Sequence, residues 1–235
     1  MGALYSYQCK NFISNKCICV YGDQLLTDDS VTEFSNKVAS KLPAPGGGSV
    51  AALSGALSAS LISKVCSLTI GKKKYADVSA EREKIVSQIG NTKETLLKLV
   101  NEDAESFNEV IAAYKMPANS DEEVSKKHIA TQNALERAAN VPLKVARESL
   151  NVLSTGVVVA EKGYFNAITD VAVGLLLGVA ALRGAALNVR INLIELMDKQ
   201  FVSIVEKELR EIESKAVEFC GEGMNIVARR LRDKG

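Results

Sequence analysis

Between Ile85 and Ile111 the apolar residues Ile85, Ile89, Leu96, Val100, Phe107 and Ile111 recur at helical spacing, and no proline interrupts the run before Pro117. The pattern predicts one long helix, with Gly90-Asn91 as the place where it would kink. At about 1.5 Å per residue, roughly forty residues span about 55 Å, more than a single small domain needs. The chain has 235 residues, 47% of them hydrophobic, enough to bury one full core. Trp is absent and aromatics reach only 5%, a balance that favours helices over sheets. The expected class is all-α. Long helices joined by short loops imply an antiparallel bundle, and the excess length implies a dimer that pairs helix against helix.

Start and stop signals divide the chain. Residues 1–24 hold Cys9, Cys17 and Cys19 without helical periodicity and read as an irregular extension before a domain over 25–235. Ser30-Val31-Thr32-Glu33 has the form of a capping box opening a helix that should run to about Leu42. Pro43-Ala44-Pro45 forbids continuation, Gly46-Gly47-Gly48 permits a sharp turn, and Ser49 is expected to cap the next helix. That helix is built of Ala51, Ala52, Ser54, Gly55, Ala56, Ser58 and Ala59, side chains small enough for a neighbouring backbone to approach closely. Ser120 to Glu123 starts a helix expected to end near Ala139, and Asn140-Val141-Pro142 is read as opening another, closed by Gly163. Further helices are expected from Asn166 to Leu196 and from about Lys199 onward.

Several function classes are disfavoured. Twenty-nine basic and 28 acidic side chains leave a net charge of +1, without the basic excess on which nucleic-acid affinity rests. The stretches 49–70 and 168–189 are apolar enough to suggest membrane spans, but Lys64, Asp170 and Arg183 would be costly in lipid, so tightly packed helices are expected instead. Five cysteines in no disulfide or zinc spacing read as reduced thiols of a cytoplasmic protein. His128 is the single histidine, on a polar stretch beside Lys126 and Lys127; histidine metal clusters and a Ser-His-Asp triad are therefore not expected.

Four groups remain as candidates. Asp103 falls on the line Leu96, Val100, Asp103, Phe107, Ile111, whose steps of 4, 3, 4 and 4 trace one helical face. A carboxylate among apolar groups either pairs with Lys or Arg of another helix or has a raised pKa, suited to acid and base work near neutrality. Asn166, Asp170, Asn188 and Asn192 fall within an arc of about 100°, at about 100° per residue. They must find hydrogen bonds, either from neighbouring helices or from a ligand rich in donors and acceptors. Gly46, Gly47, Gly48 and Ser49 lead into a helix and form either an anion cradle or a tight interhelical turn; the Lys of a P-loop is missing. Lys72 and Lys73, continued by Lys74, are either a carboxylate-binding run or solvated surface.

Taken together, Pro45-Gly46-Gly47-Gly48-Ser49-Val50-Ala51-Ala52, Leu68-Thr69-Ile70-Gly71-Lys72-Lys73-Lys74-Tyr75, Asp103-Ala104-Glu105-Ser106-Phe107 and Gly184-Ala185-Ala186-Leu187-Asn188-Val189-Arg190-Ile191-Asn192-Leu193 resemble the cyclodeaminase domain family of formiminotransferase-cyclodeaminase. That family includes stand-alone methenyltetrahydrofolate cyclohydrolases. The resemblance runs from about Leu25 to near the C-terminus. It implies an all-helical homodimer with a folate groove between subunits, Asp103 as catalytic carboxylate, and the glycine loop, the lysines and the polar face from Asn166 around the substrate. Transfer of the formimino group is not expected on this chain. The family commonly has Asn directly after the glycine at position 163, where this sequence has Tyr164-Phe165.

The implied reaction is cyclodeamination of 5-formiminotetrahydrofolate to 5,10-methenyltetrahydrofolate and ammonia, with no metal or redox cofactor. The alternatives are hydrolysis of the methenyl bridge to 10-formyltetrahydrofolate, or folate binding without turnover.

Overall fold

The computed structural model describes residues 25–233, all helix and connecting turn. The expected extension over residues 1–24, with Cys9, Cys17 and Cys19, lies outside the described residues. Six helices follow: α1 Val31–Val38, α2 Gly47–Thr69, α3 Ser79–Tyr114, α4 Asp121–Lys162, α5 Ile168–Leu193 and α6 Lys199–Arg232.

The start signals of α1 and α4 are used as expected. Ser30 and Glu33 cap α1 reciprocally, and Ser120 accepts from the Glu123 amide. α1 stops a turn earlier than expected. The Ser40 hydroxyl donates to the Lys37 carbonyl and accepts from the Leu42 amide, offering the backbone an alternative to helix. α3 is helical throughout, across Gly90-Asn91.

The predicted break at Asn140-Val141-Pro142 does not occur; α4 runs unbroken for 42 residues with Pro142 inside it. A proline there supplies no amide to the carbonyl four residues back and crowds it, a disruption worth about 3 kcal/mol in an isolated helix. The carbonyl concerned belongs to Ala138, and the Asn192 side-chain amide of α5 donates to it at 3.0 Å. A partner from another helix thus replaces the missing bond.

α2 to α5 form an antiparallel four-helix core, with α6 packed along α4 and α5. α2 and α5 are both long and apolar enough to cross a membrane by length and composition. Here they lie against each other, so closely that Ser58 Oγ donates to the Gly174 carbonyl at 2.6 Å. A Cβ on Gly174 would stand 3.4 Å from the Ser58 carbonyl oxygen. Leu96, Val100, Ile62, Leu153, Leu175 and Leu182 fill the centre, each almost fully buried. α2 ends at Thr69, and Gly71 turns the chain with a φ of 75° that favours glycine. Cys66 and Cys220 are free thiols, and burial pushes the Cys66 thiol up to about 11.

The unequal helix lengths create the cleft. α3 and α4 have 36 and 42 residues, against 23 and 26 in α2 and α5. Because α2 begins only beside Asp103, the last three turns of α3 have no α2 partner, and a hollow opens there between α3, α4 and α5.

Candidate active site

The hollow is a cleft of about 350 Å³. Its floor is Leu135 and Ala138 of α4, one wall is Phe107, Ile111 and Tyr114 of α3, and the other is Asn188, Asn192 and Glu195 at the end of α5. Gly46, Gly47 and Gly48 close one end, together with Asp103.

Asp103 meets the first turn of α2 head-on. The Ser49 hydroxyl donates to Asp103 Oδ2 at 2.9 Å, and the Ser49 backbone amide also favours the charged carboxylate. Ser49 is therefore the third residue of α2 and not its cap; Gly46 holds the cap position and offers no side-chain hydrogen bond. The amides of a first helical turn lack intrahelical partners and carry positive dipole, and a carboxylate from α3 answers part of that need. A Cβ on Gly48 would lie 2.0 Å from Asp103 Oδ1, so only glycine lets the acid sit against the backbone here.

Two effects act on this acid. Burial raises the Asp103 pKa above the usual carboxylate range and is the larger; the hydrogen bonds from Ser49 lower it without cancelling the rise. Of the two readings of Asp103, pairing with Lys or Arg is not observed among the described residues, none of the cleft's lining side chains being basic.

The helical face expected through Asp103 bends away from the core. Leu96 and Val100 are buried, but the buried line continues through Ser106, Val110 and Ala113, while Phe107 is 39% exposed. Phe107 and Ile111 lack a helix to pack against past the start of α2, so they face the cleft.

Asn188 and Asn192 share the cleft with Asp103. Asn188 Nδ2 donates to the Gly184 carbonyl, and Asn192 Nδ2 donates to the carbonyls of Ala138 and Asn188. Both amide donors of Asn192 are thus spent inside the protein, and its Oδ1 remains to accept from a ligand.

The other candidates lie elsewhere. Lys72 and Lys73 follow the C-terminus of α2, whose 23 residues place them about 35 Å from the glycine turn. Lys72 Nζ stands 4.5 Å over the Tyr164 ring. Asn166 donates to the Tyr164 hydroxyl, and Asp170 pairs with Lys64 at 2.8 Å. The arc read from Asn166 to Asn192 is therefore one face of α5 with two separate ends. Tyr164 and Phe165, where the sequence departs from the family pattern, dock by their amides on Thr69 and Tyr75 at the far end. His128 is exposed on α4.

Sequence reasoning missed Tyr114 and Glu195, both lining the cleft. The signal was present: Tyr114 follows Phe107 by two helical turns, and Glu195 follows Asn188 and Asn192 by seven and three residues. Among the described residues, no three His, Cys, Asp or Glu side chains gather in a metal-holding arrangement.

Comparison with known proteins places this architecture. The profile of the formiminotransferase-cyclodeaminase family matches residues 30–211. The methenyltetrahydrofolate cyclohydrolase of Methylorubrum extorquens is 40% identical over 191 residues, covering 81% of this chain and 90% of that protein. The formimidoyltransferase-cyclodeaminase of Rattus norvegicus is 32% identical over 76% of this chain, which spans only 33% of that longer protein. A crystal structure of formiminotetrahydrofolate cyclodeaminase from Thermotoga maritima superposes with a TM-score of 0.78 at 32% identity, covering 87% of this chain and 98% of that one. With its matched span, the shared fold and the motifs gathered around Asp103, the chain belongs to the formiminotransferase-cyclodeaminase family.

Proposed function

We propose that the chain is a folate enzyme that hydrolyses the one-carbon bridge of 5,10-methenyltetrahydrofolate to 10-formyltetrahydrofolate. The observation that carries the reading is the Asp103 carboxylate, held against the first turn of α2 in a cleft that no Lys or Arg of the described residues lines, and with its pKa raised by burial. Likeness to the Methylorubrum cyclohydrolase over nearly all of that protein's length favours hydrolysis.

In the proposed mechanism Asp103 takes a proton from a water as its oxygen adds to the methenyl carbon, giving a tetrahedral centre. The added hydroxyl then loses its proton as the carbonyl forms, N5 receives one, and the carbon–N5 bond breaks. The net products are 10-formyltetrahydrofolate and one proton. A carboxylate beside the cationic bridge also favours substrate through charge. The reaction is addition of water and elimination of N5, assisted by proton transfers and without change of oxidation state, so no redox cofactor is invoked.

Cyclodeamination, the first reading from sequence, stays as the second. It is favoured by the fold shared with the Thermotoga cyclodeaminase. There N10 would attack the formimino carbon of 5-formiminotetrahydrofolate, pass through a tetrahedral carbon in the same place, and expel ammonia. Incubating the protein with each substrate and following methenyl absorbance separates the two: decay with the methenyl compound supports hydrolysis, and growth with the formimino compound supports cyclodeamination. Binding of reduced folate with turnover of neither would leave a non-catalytic folate protein.

The working unit is proposed to be a cytoplasmic homodimer. Leu187 (66% exposed), Ile191 (63%) and Ile194 (70%) form an apolar ridge on α5, and Ile191 and Ile194 also border the cleft. A second copy covering this ridge would close the cleft's open side and make it a groove between subunits.

A further inference from the structure

The cleft is chemically one-sided. Among the described residues, Asp103 and Glu195 are the charged groups that line it, at opposite ends, and no Lys or Arg does. Asn192 Nδ2 spends both hydrogens on backbone carbonyls and Asn188 Nδ2 spends one, so Asn192 offers a ligand only its oxygen, and Asn188 an oxygen and one N–H. The free amides lie at the glycine end, beside Asp103, while the end at Glu195 offers a carboxylate. The Glu195 end suits the donor-rich edge of a reduced folate and repels the carboxylates of its tail.

Glu195 is fixed twice over. The Tyr114 hydroxyl donates to its Oε2 at 2.8 Å. The Gln132 side chain donates to its backbone carbonyl at 3.1 Å and accepts from the Met197 amide at 2.8 Å. An exposed glutamate at a helix end ordinarily samples many rotamers; this one is held from α3 and its backbone from α4 before any ligand arrives. Between Glu195 and Asp103 the walls are Phe107, Ile111 and Ile191, apolar surfaces of a kind that sandwiches a flat ring.

Resting on the folate reading above, we propose that Glu195, positioned by Tyr114, receives the 2-amino and N3–H groups of the pterin ring and so sets the substrate's direction in the cleft. The two adjacent donors match the two oxygens of one carboxylate. With the pyrimidine edge at Glu195, the N5 side of the ring points toward Asp103, and the glutamate tail leaves the cleft for solvent or a second subunit. Glu195 is thus a binding and specificity residue, and Tyr114 a positioning residue that acts through it.

The test pairs a protein change with a substrate change, using the full chain, the turned-over folate and its 2-desamino-2-methyl analogue. Wild type should prefer the natural substrate by about 10-fold or more in kcat/KM. Glu195→Gln should raise KM for the natural substrate about 10-fold or more, change kcat by less than about 3-fold, and lose most of the preference over the analogue. Tyr114→Phe, which keeps the ring and the fold, should raise KM by a smaller factor and keep the preference. An unchanged KM in Glu195→Gln, or an undiminished preference, overturns the assignment while the folate reading stands. Absence of reduced-folate binding by wild type overturns the folate reading itself, and this assignment with it.

Discussion

Gly48 and Asp103 are matched by exclusion: a Cβ at position 48 would stand 2.0 Å from Oδ1 and 2.5 Å from the carboxyl carbon of Asp103. Alanine suits a helix better than glycine by about 1 kcal/mol, so Gly48→Ala should leave the helix intact and evict the acid. We expect kcat/KM to fall by about 100-fold or more with little change in Tm, as general-base loss predicts. Asp103→Asn should lose activity to a similar degree. Its Tm near pH 7 should not fall, because the raised pKa means that the fold disfavours the charged carboxylate. Parallel kinetics and thermal melts check both; a Gly48→Ala enzyme of normal rate would show that the acid need not occupy this place.

Ser49 offers a pH test. Its hydrogen bonds are the influences that lower the Asp103 pKa against burial. As a base, Asp103 works unprotonated, so activity should rise with pH through its pKa. Ser49→Ala removes the hydroxyl donor, pushes that pKa further up, and should move the acid limb of the kcat/KM profile to higher pH. The sign follows from direction alone. A limb that stays in place, or moves to lower pH, would mean that another group governs it.

Much of this site is legible in the sequence, and the illegible parts share one cause. Asp103, the glycine turn, Asn188 and Asn192 could be read because helical periodicity and backbone rules are local. The resemblance set Lys72, Lys73, Asn166 and Asp170 around the same substrate, and within one chain the fold sends them to the other end of α2 and α5. Angular position on a helix says nothing of distance along its axis. Phe107 was read as core because its spacing matched Leu96 and Val100, yet burial there depends on where α2 begins. Pro142 was read as a helix start because the compensating donor, Asn192, lies 50 residues away in sequence.

That compensation can be measured. Asn192→Ala leaves the Ala138 carbonyl without a partner beneath Pro142 and should cost about 1–3 kcal/mol in urea unfolding. In a Pro142→Ala background the helix can supply its own amide to that carbonyl, so the same change should cost less. The double-mutant cycle should therefore show a coupling of about 1 kcal/mol between the two positions. Strict additivity would mean that the bond from Asn192 is incidental to the proline.

The separation of the two ends of α5 bears most directly on assembly. If Lys72 and Lys73 serve the ligand held by Asp103, about 35 Å of helix rules out contact within one chain, and the lysines must come from a second copy. Asp103→Asn and the double variant Lys72→Ala, Lys73→Ala should then each be impaired alone. Mixed and allowed to exchange subunits, they should recover activity, because each heterodimer holds one groove with an intact acid and intact lysines. Random pairing makes half of the dimers mixed, so about one quarter of all grooves should work. Recovery to about that level on mixing, measured against the unmixed variants at equal total protein, supports a shared groove. If the lysine variant keeps full activity, the basic run takes no part; if both are impaired and mixing restores nothing, acid and lysines do not meet across a dimer.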